Sequence, residues 1–312
     1  MHYAHLFGPV SSRRLGRSLG IDLVPFKTCT YDCVYCECGA TTVETIQRQE
    51  FFPADEVIGE LSLYLSQSPS LDYITFSGSG EPTLSLSIGR VIRFLKERFP
   101  RYRIAVLTNG SLLSDPGVRR DLLPADVVLP TLSTINEETF RRIHRPVPGI
   151  GAEEILDAIL QFRREYTGQI WLEVFIIPGI NTSDEELAGL HDAIHRIHPD
   201  RVQLNTLDRP GTEDFVRPAT PAELERIAQV LDYAGTETVD SSCSADIPSQ
   251  YAEDPLEQVY ELLRRRPCTA DDIASATGMH LTQVHKVLQE MARTKDLQEK
   301  PEGRGIFYYF RD

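Results

Sequence analysis

Short runs of consecutive apolar, often β-branched residues alternate along the chain with longer stretches whose apolar positions recur every three or four residues. A run that is apolar at every position suits a strand buried on both faces, and helical stretches between such runs signal a parallel sheet with helical crossovers. The pattern predicts strands over residues 21–24, 73–76, 103–108, 126–132, 170–177 and 201–207. Helices are predicted over 54–66, 88–99, 116–123, 153–166, 184–197 and 221–233. Ser183 with Glu186, and Thr220 with Pro221 and Glu223, carry helix-start signals. Six strands, each followed by a helix in a right-handed crossover, make an open partial barrel whose active site forms where the carboxyl ends of the strands meet their loops.

After Gly235 the pattern changes class. Residues 236–253 are rich in Ser, Asp and small side chains and read as a linker, or as a lid over the barrel mouth. Beyond them come three helical stretches, to about Arg265, from Thr269 to Ala276 and from Thr282 to Arg293, and then a hairpin over 297–310 that turns at Glu302, Gly303, Arg304 and Gly305. Three helices and a hairpin resemble a winged helix. The predicted fold class is therefore α/β: a partial (β/α)6 barrel over 1–235, a linker or lid over 236–253, and a small winged-helix-like α+β domain over 254–312.

At 312 residues and 41% hydrophobic content the chain can bury the core of a full-sized enzyme. No apolar run approaches the roughly 18 residues that a bilayer requires, so no membrane partner is expected. The formal charge of −14 disfavours nucleic acid as a partner without excluding a local basic patch. Six cysteines in a chain without a leading signal pattern fit a reducing compartment, and cytoplasmic localisation is expected.

The candidate chemistry begins at Cys29, Cys33 and Cys36. Three thiolates within eight positions can hold three corners of an iron-sulfur cube and leave one iron open, whereas four cysteines would close it. A zinc knuckle wants a second ligand pair, but Cys243 and Cys268 stand far downstream and alone. Cys38 reads as an inert small side chain and Lys27 as a surface residue. The segment Ser77, Gly78, Ser79, Gly80, Glu81, Pro82 ends the second predicted strand, where glycines let a ligand approach the backbone. Asn109 and Ser133 end the next two strands. Arg13, Arg14 and Arg17, and again Arg141, Arg142, His144 and Arg145, form basic groups that could receive a substrate carboxylate or phosphate. Gln203, Asn205, Asp208 and Arg209 point toward the mouth, as does Glu173 if its strand alternation turns it inward.

The spacing Cys-x3-Cys-x2-Cys with an aromatic before the last cysteine resembles the signature of the radical S-adenosylmethionine (SAM) superfamily, and Ser79-Gly80-Glu81-Pro82 is similar to that family's Gly-Gly-Glu-Pro motif, with serine at the first glycine. The resemblance implies a 4Fe-4S cluster on Cys29, Cys33 and Cys36 and SAM as the second cofactor. It further implies that SAM is held by Gly78, Ser79, Gly80 and Glu81, by Asn109 and Ser133, and, around the adenine, by Tyr35, Ile177, Asn205 and Leu207. An electron donor such as a ferredoxin or flavodoxin would reduce the cluster. A 5′-deoxyadenosyl radical would then take hydrogen from a small-molecule or peptide substrate. A bulky residue at Gly80 is expected to block SAM while the cluster still assembles.

Residues 6–20 and 203–210 look like a subgroup of prokaryotic iron-sulfur oxidoreductases similar to the wyosine-forming tRNA enzyme. Archaeal members of that family carry additional N-terminal cysteines, and here none precedes Cys29. Residues 254–312 hold 9 basic and 10 acidic side chains, a poor balance for reading nucleic acid. A tRNA-modifying enzyme is thus the first alternative, and an iron-sulfur redox regulator acting through the winged helix the second.

Overall fold

The computed structural model describes residues 3–239, 254–294 and 296–310. Its strands are β1 (Leu6–Ser12), β2 (Gly16–Ile21), β3 (Thr28–Cys29), β4 (Val43–Glu44), β5 (Tyr73–Phe76), β6 (Arg103–Thr108), β7 (Val127–Pro130), β8 (Gln169–Phe175), β9 (Arg201–Asn205), β10 (Thr236–Thr238), β11 (Leu297–Glu302) and β12 (Gly305–Phe310). The helices are α1 (Ala54–Ser66), α2 (Ile88–Arg98), α3 (Pro116–Leu122), α4 (Glu137–His144), α5 (Ala152–Glu165), α6 (Asp184–Ile197), α7 (Pro221–Leu231), α8 (Pro255–Arg265), α9 (Ala270–Thr277) and α10 (Leu281–Thr294).

Eight strands form one open sheet in the order β1-β2-β5-β6-β7-β8-β9-β10, parallel throughout except for the β1-β2 hairpin. Among the described residues this is an open partial barrel with β1 and β10 at its two edges. Residues of the strands alternate between the two faces. On β8 Ile170, Leu172 and Val174 join the large core under the helices, while Trp171, Glu173 and Phe175 face the barrel interior.

Two predicted elements need correction, and one helix is added. The first barrel strand is Gly16–Ile21 and not residues 21–24, and it is preceded by an antiparallel partner. Gly8, Pro9, Gly16 and Gly20 give that stretch the look of turns, yet Gly20 leaves room for the Phe7 ring packed over it. Thr236–Thr238, assigned to the linker, adds to the sheet edge beside β9, and positions 240–253, including Cys243, lie outside the described residues. Helix α4 was not predicted. Asn136 caps it, accepting from Thr139 N at 3.0 Å.

Residues 254–310 pack around their own cluster of Val259, Leu263, Cys268, Ile273, Val284, Leu288 and Met291. Thr269 and Asp272 form a reciprocal capping box at α9, and β11 pairs with β12 from Leu297 with Phe310 to Glu302 with Gly305.

Candidate functional site

The barrel interior is built in three layers, because inward positions two apart on each strand sit one above another. The lowest layer is apolar: Leu15, Tyr73, Ala105, Val127, Leu129 and Trp171. Arg103 and Arg201 lie over the Tyr73 and Trp171 rings at 4.7 and 4.3 Å from their centroids and seal it from below.

The middle layer is polar. Glu173 accepts from Arg14 Nη1 at 2.6 Å, Thr131 Oγ1 at 2.7 Å and Asn205 Nδ2 at 2.9 Å. Burial alone would raise the Glu173 carboxyl, but the Arg14 charge and these donors outweigh it and hold it below the usual carboxylate range. Glu173 thus does turn inward. Arg13 lies 3.8 Å from Asp208, so two of the three N-terminal arginines enter the interior already paired with carboxylates.

The top layer holds the thiols. Cys29, Cys33 and Cys36 ride on the loop between β2 and α1, at the carboxyl ends of the strands, and each is partly accessible. Lys27 is not a surface residue: it is 3% exposed, sits at φ +55° and donates from Nζ to Cys36 Sγ at 3.1 Å. Hydrogen bonding with the Cys38 thiol, and then the Lys27 charge, bring the Cys36 thiol down to about 5. Burial pushes the Cys29 thiol up to about 12, and it raises Cys33 as well. The Cys38 hydrogen bond and the Lys27 charge thus favour the thiolate at Cys36, whereas burial disfavours it at Cys29 and Cys33, where a bound cation would compensate the charge.

The Gly-rich loop after β5 backs onto this loop, with Lys27 N donating to Ser79 O at 2.8 Å and Glu81 N to Thr28 O at 3.1 Å. Gly78 takes φ +137°, which only glycine adopts freely. An added Cβ at Gly80 would collide with the Thr28 carbonyl and Val24. This corrects the expectation for that position: a side chain at Gly80 displaces the backbone next to Cys29 itself. The Glu81 carboxylate, 2% exposed, accepts from Thr83 N and Oγ1 at 3.0 and 2.5 Å, Thr108 Oγ1 at 2.7 Å and Asn109 N at 2.8 Å. Its oxygens are spent on joining the β5 and β6 loops, so what this segment presents to a ligand is backbone. Asn109 in turn donates from Nδ2 to Thr30 Oγ1 at 2.7 Å and lies 3.6 Å from Cys29 Sγ.

Tyr35 stacks on Phe175 at 4.0 Å between centroids, beside a buried apolar group of Val34, Ile143, Phe175, Ile177, Leu207 and Val216. Ile177, Leu207 and Tyr35 are thereby brought together. Asn205 is held one layer lower by Glu173. Ser133 is buried, its Oγ accepting from Phe175 N at 3.1 Å, which places it in the wall between β7 and β8.

His144 corrects the second basic group. It is 2% exposed and burial pushes its imidazole down to about 3, so it is neutral. Its Nδ1 lies 3.2 Å from Tyr35 Oη and 3.5 Å from Cys33 Sγ. Arg141 and Arg145 are paired with Glu137, and with Glu213 and Asp32. The end of α4 is docked on the cysteine loop, with Val34 N donating to Ile143 O at 2.9 Å, so His144 belongs to the loop's packing and not to a basic group. The apolar positions Phe140 and Ile143 at helical spacing were the available signal.

Among the described residues no three His, Cys, Asp or Glu side chains converge to hold a single metal ion. Thiolates that each take a different iron of a cube need no such convergence.

Comparison with known proteins gives this arrangement a family. Residues 23–191 match the model of the Radical SAM superfamily. A UPF0026 protein of Methanocaldococcus jannaschii is 34% identical over 72% of this chain and 69% of its own length. A protein of Brachyspira hyodysenteriae named GTPase Obg is 34% identical over 95% of this chain, which spans only 43% of that protein. Among solved structures, a radical SAM methyltransferase from Sphaerobacter thermophilus superposes with a TM-score of 0.54 at 19% identity, covering 72% of this chain and 69% of the other. SuiB of Streptococcus suis, bound to S-adenosylmethionine, gives 0.53 at 15% identity, covering 77% and 55%; these two likenesses bear on the fold alone. The chain belongs to the radical SAM superfamily. It is a radical SAM enzyme whose cofactors are a 4Fe-4S cluster and S-adenosylmethionine. The donor set fits: three soft thiols on one loop, with a buried ammonium beside them to offset anionic charge.

Proposed function

We propose that this radical SAM superfamily member modifies a small molecule or a peptide, holding its 4Fe-4S cluster on Cys29, Cys33 and Cys36 and SAM across the Gly78 to Glu81 loop. A cluster held there would supply, once reduced by its donor, the single electron for cleavage of SAM to methionine and a 5′-deoxyadenosyl radical. The chain's own residues bind, orient and shield. Backbone at Gly78, Ser79 and Gly80 offers donors and acceptors to the methionyl end, Asn109 ties that end to the Cys29 side of the loop, and Tyr35, Ile177 and Leu207 give an apolar seat for the adenine, with Ser133 and Asn205 below it. The observation that carries this reading is the back-to-back packing of the cysteine loop and the Gly-rich loop through Lys27 N to Ser79 O and Glu81 N to Thr28 O. A sensor that only carried electrons would have no use for such a cradle.

The electron donor in this reading is a ferredoxin or flavodoxin and the compartment the cytoplasm. The barrel, which in this reading is of the wyosine-like oxidoreductase subgroup, ends just after β10 rather than at 235, and residues 254–312 are a winged-helix-like domain appended to it. The net charge of −14 places a small molecule or peptide ahead of tRNA as substrate. Anaerobic reconstitution with iron and sulfide, followed by reduction and assay of 5′-deoxyadenosine, tests it. The expected outcome is about four irons per chain and release of deoxyadenosine that disappears in Cys33→Ala. Zinc in place of iron, or intact cluster without deoxyadenosine in the presence of cell metabolites and peptides, would overturn it.

A further inference from the structure

The C-terminal unit meets the barrel at two places: the segment that covers the cysteine loop, and the N-terminal hairpin edge, where Arg265 lies over the Phe7 ring at 4.4 Å. Residues 208–213 lie across that loop: Asp208 N and Arg209 N donate to Glu37 Oε1 at 3.0 and 3.2 Å, Thr212 Oγ1 donates to the carbonyls of Cys33 and Cys36 at 2.9 and 3.3 Å, and Glu213 N donates to Val34 O at 3.1 Å. This segment is gripped in turn by the β11-β12 turn. Arg304 donates from Nη1 and Nη2 to the two oxygens of Asp272 at 2.8 and 3.0 Å, and its Nη2 also donates to Asp208 Oδ2 at 3.0 Å. Arg209, 8% exposed, lies 3.7 Å from Asp272 and 3.5 Å from Glu37.

Arg13, Arg209 and Arg304 thus share Glu37, Asp208 and Asp272, three cations against three anions drawn from the N-terminal hairpin, the cysteine loop, the β9 loop and the C-terminal unit. A buried guanidinium is tolerated only when its partners are held in place, so removing one member leaves the others uncompensated. Arg265 adds a second attachment by pairing with Asp22, which lies against Gly78 of the other cofactor loop.

We infer that the C-terminal unit is a clamp on the cysteine loop, with Arg304 as the positioning residue that acts through Asp208 and Arg209 to order residues 33–37. The cluster arm of this inference rests on the reading that Cys29, Cys33 and Cys36 hold iron; the clamp itself does not. If the two regions are coupled, coupling is reciprocal: whatever orders the loop also protects the hairpin.

Hydrogen exchange on the full-length protein tests it, comparing wild type, Arg304→Ala, Arg304→Lys and, as a peripheral contact of the same hairpin, Lys300→Ala, whose partner Asp214 is exposed. Exchange across 29–39 and 208–213 should rise several-fold in Arg304→Ala, rise less in Arg304→Lys, which keeps the charge but not the fork, and stay at the wild-type level in Lys300→Ala. Faster exchange confined to 254–310 would overturn the clamp. Should Arg304→Ala fail to fold, the reciprocal measurement on wild type decides: loading with iron and sulfide should slow exchange across 297–310, and an unchanged hairpin would reject the coupling. In loaded protein a chelator should strip iron several-fold faster from Arg304→Ala than from wild type. A chain that takes up no iron would overturn the cluster assignment, while the exchange comparison among apo variants would still decide the clamp.

Discussion

The two ends of the barrel interior are made from the same strands by the same alternation, yet they obey opposite rules. At the bottom Trp171, Tyr73, Val127 and Leu129 need only fill space, and each residue's contribution is its buried area. At the top, beside the apolar group around Phe175, buried polar side chains are satisfied by one another: Glu81 by Thr83, Thr108 and Asn109, and Cys36 by Lys27. Density secures the one end and mutual satisfaction the other. Only the second arrangement leaves groups, here thiols and loop backbone, that a ligand can complete.

The sharpest way to break this comparison is to exchange the consequences of loss at the two ends. Cys33→Ala should abolish iron incorporation while costing only about 1 kcal/mol of stability. Trp171→Ala should do the reverse, losing about 3–5 kcal/mol in denaturant unfolding with iron content per folded chain unchanged. Equal effects of both on iron would show that bottom and top are one unit.

A smaller effect is expected from the middle layer. Glu173→Gln keeps the shape but leaves Arg14 without its counter-charge, and should cost about 1–3 kcal/mol. Cluster assembly should survive it, because Glu173 touches Arg14, Thr131 and Asn205 and no cysteine. Iron and sulfide analysis beside urea unfolding would check both halves.

The smallest effect concerns acid. Burial would raise the Asp272 carboxyl, but the hydrogen bonds of Arg304 and the charge of Arg209 hold it below 3.8. Its folded value is therefore lower than its unfolded one, and the unfolded chain binds more protons as pH falls. The stabilisation is complete above about pH 4 and is lost as pH drops through the folded value. Thermal melts between pH 5 and 3 should show a slope that flattens in Asp272→Asn.

The sequence made the parallel core legible because strands buried on both faces advertise themselves: β5 and β6 begin and end where the apolar runs do. The β1-β2 hairpin stayed hidden because its glycines and Pro9 serve packing against Phe7 and a turn, and neither purpose has a period. At the site, the thiols and the Gly-rich segment were legible as motifs, since their spacing along the chain is what the chemistry uses. His144, Lys27 and the Glu81 carboxylate were misread or undervalued. A charged or titratable side chain reads as exposed until its surroundings are known, and those surroundings come from segments up to about 111 positions away, as between Cys33 and His144. The ionic grip of Arg304 on Asp208 spans 96 positions and has no local trace.

The strand order carries one more consequence, for the order in which the molecule is made. From β2 to β10 each strand of the large sheet lies beside its predecessor, with only the short β3-β4 pair set apart. Every pairing therefore closes a loop of modest length, and the sheet can grow vectorially as the chain emerges during synthesis. The cysteine loop is delivered early, between β2 and β5, whereas residues 208–213 follow β9 and the β11-β12 hairpin comes later still. Until they do, the chain already made has neither the hydrogen bonds from Thr212 to the carbonyls of Cys33 and Cys36 nor the ion pairs of Arg304.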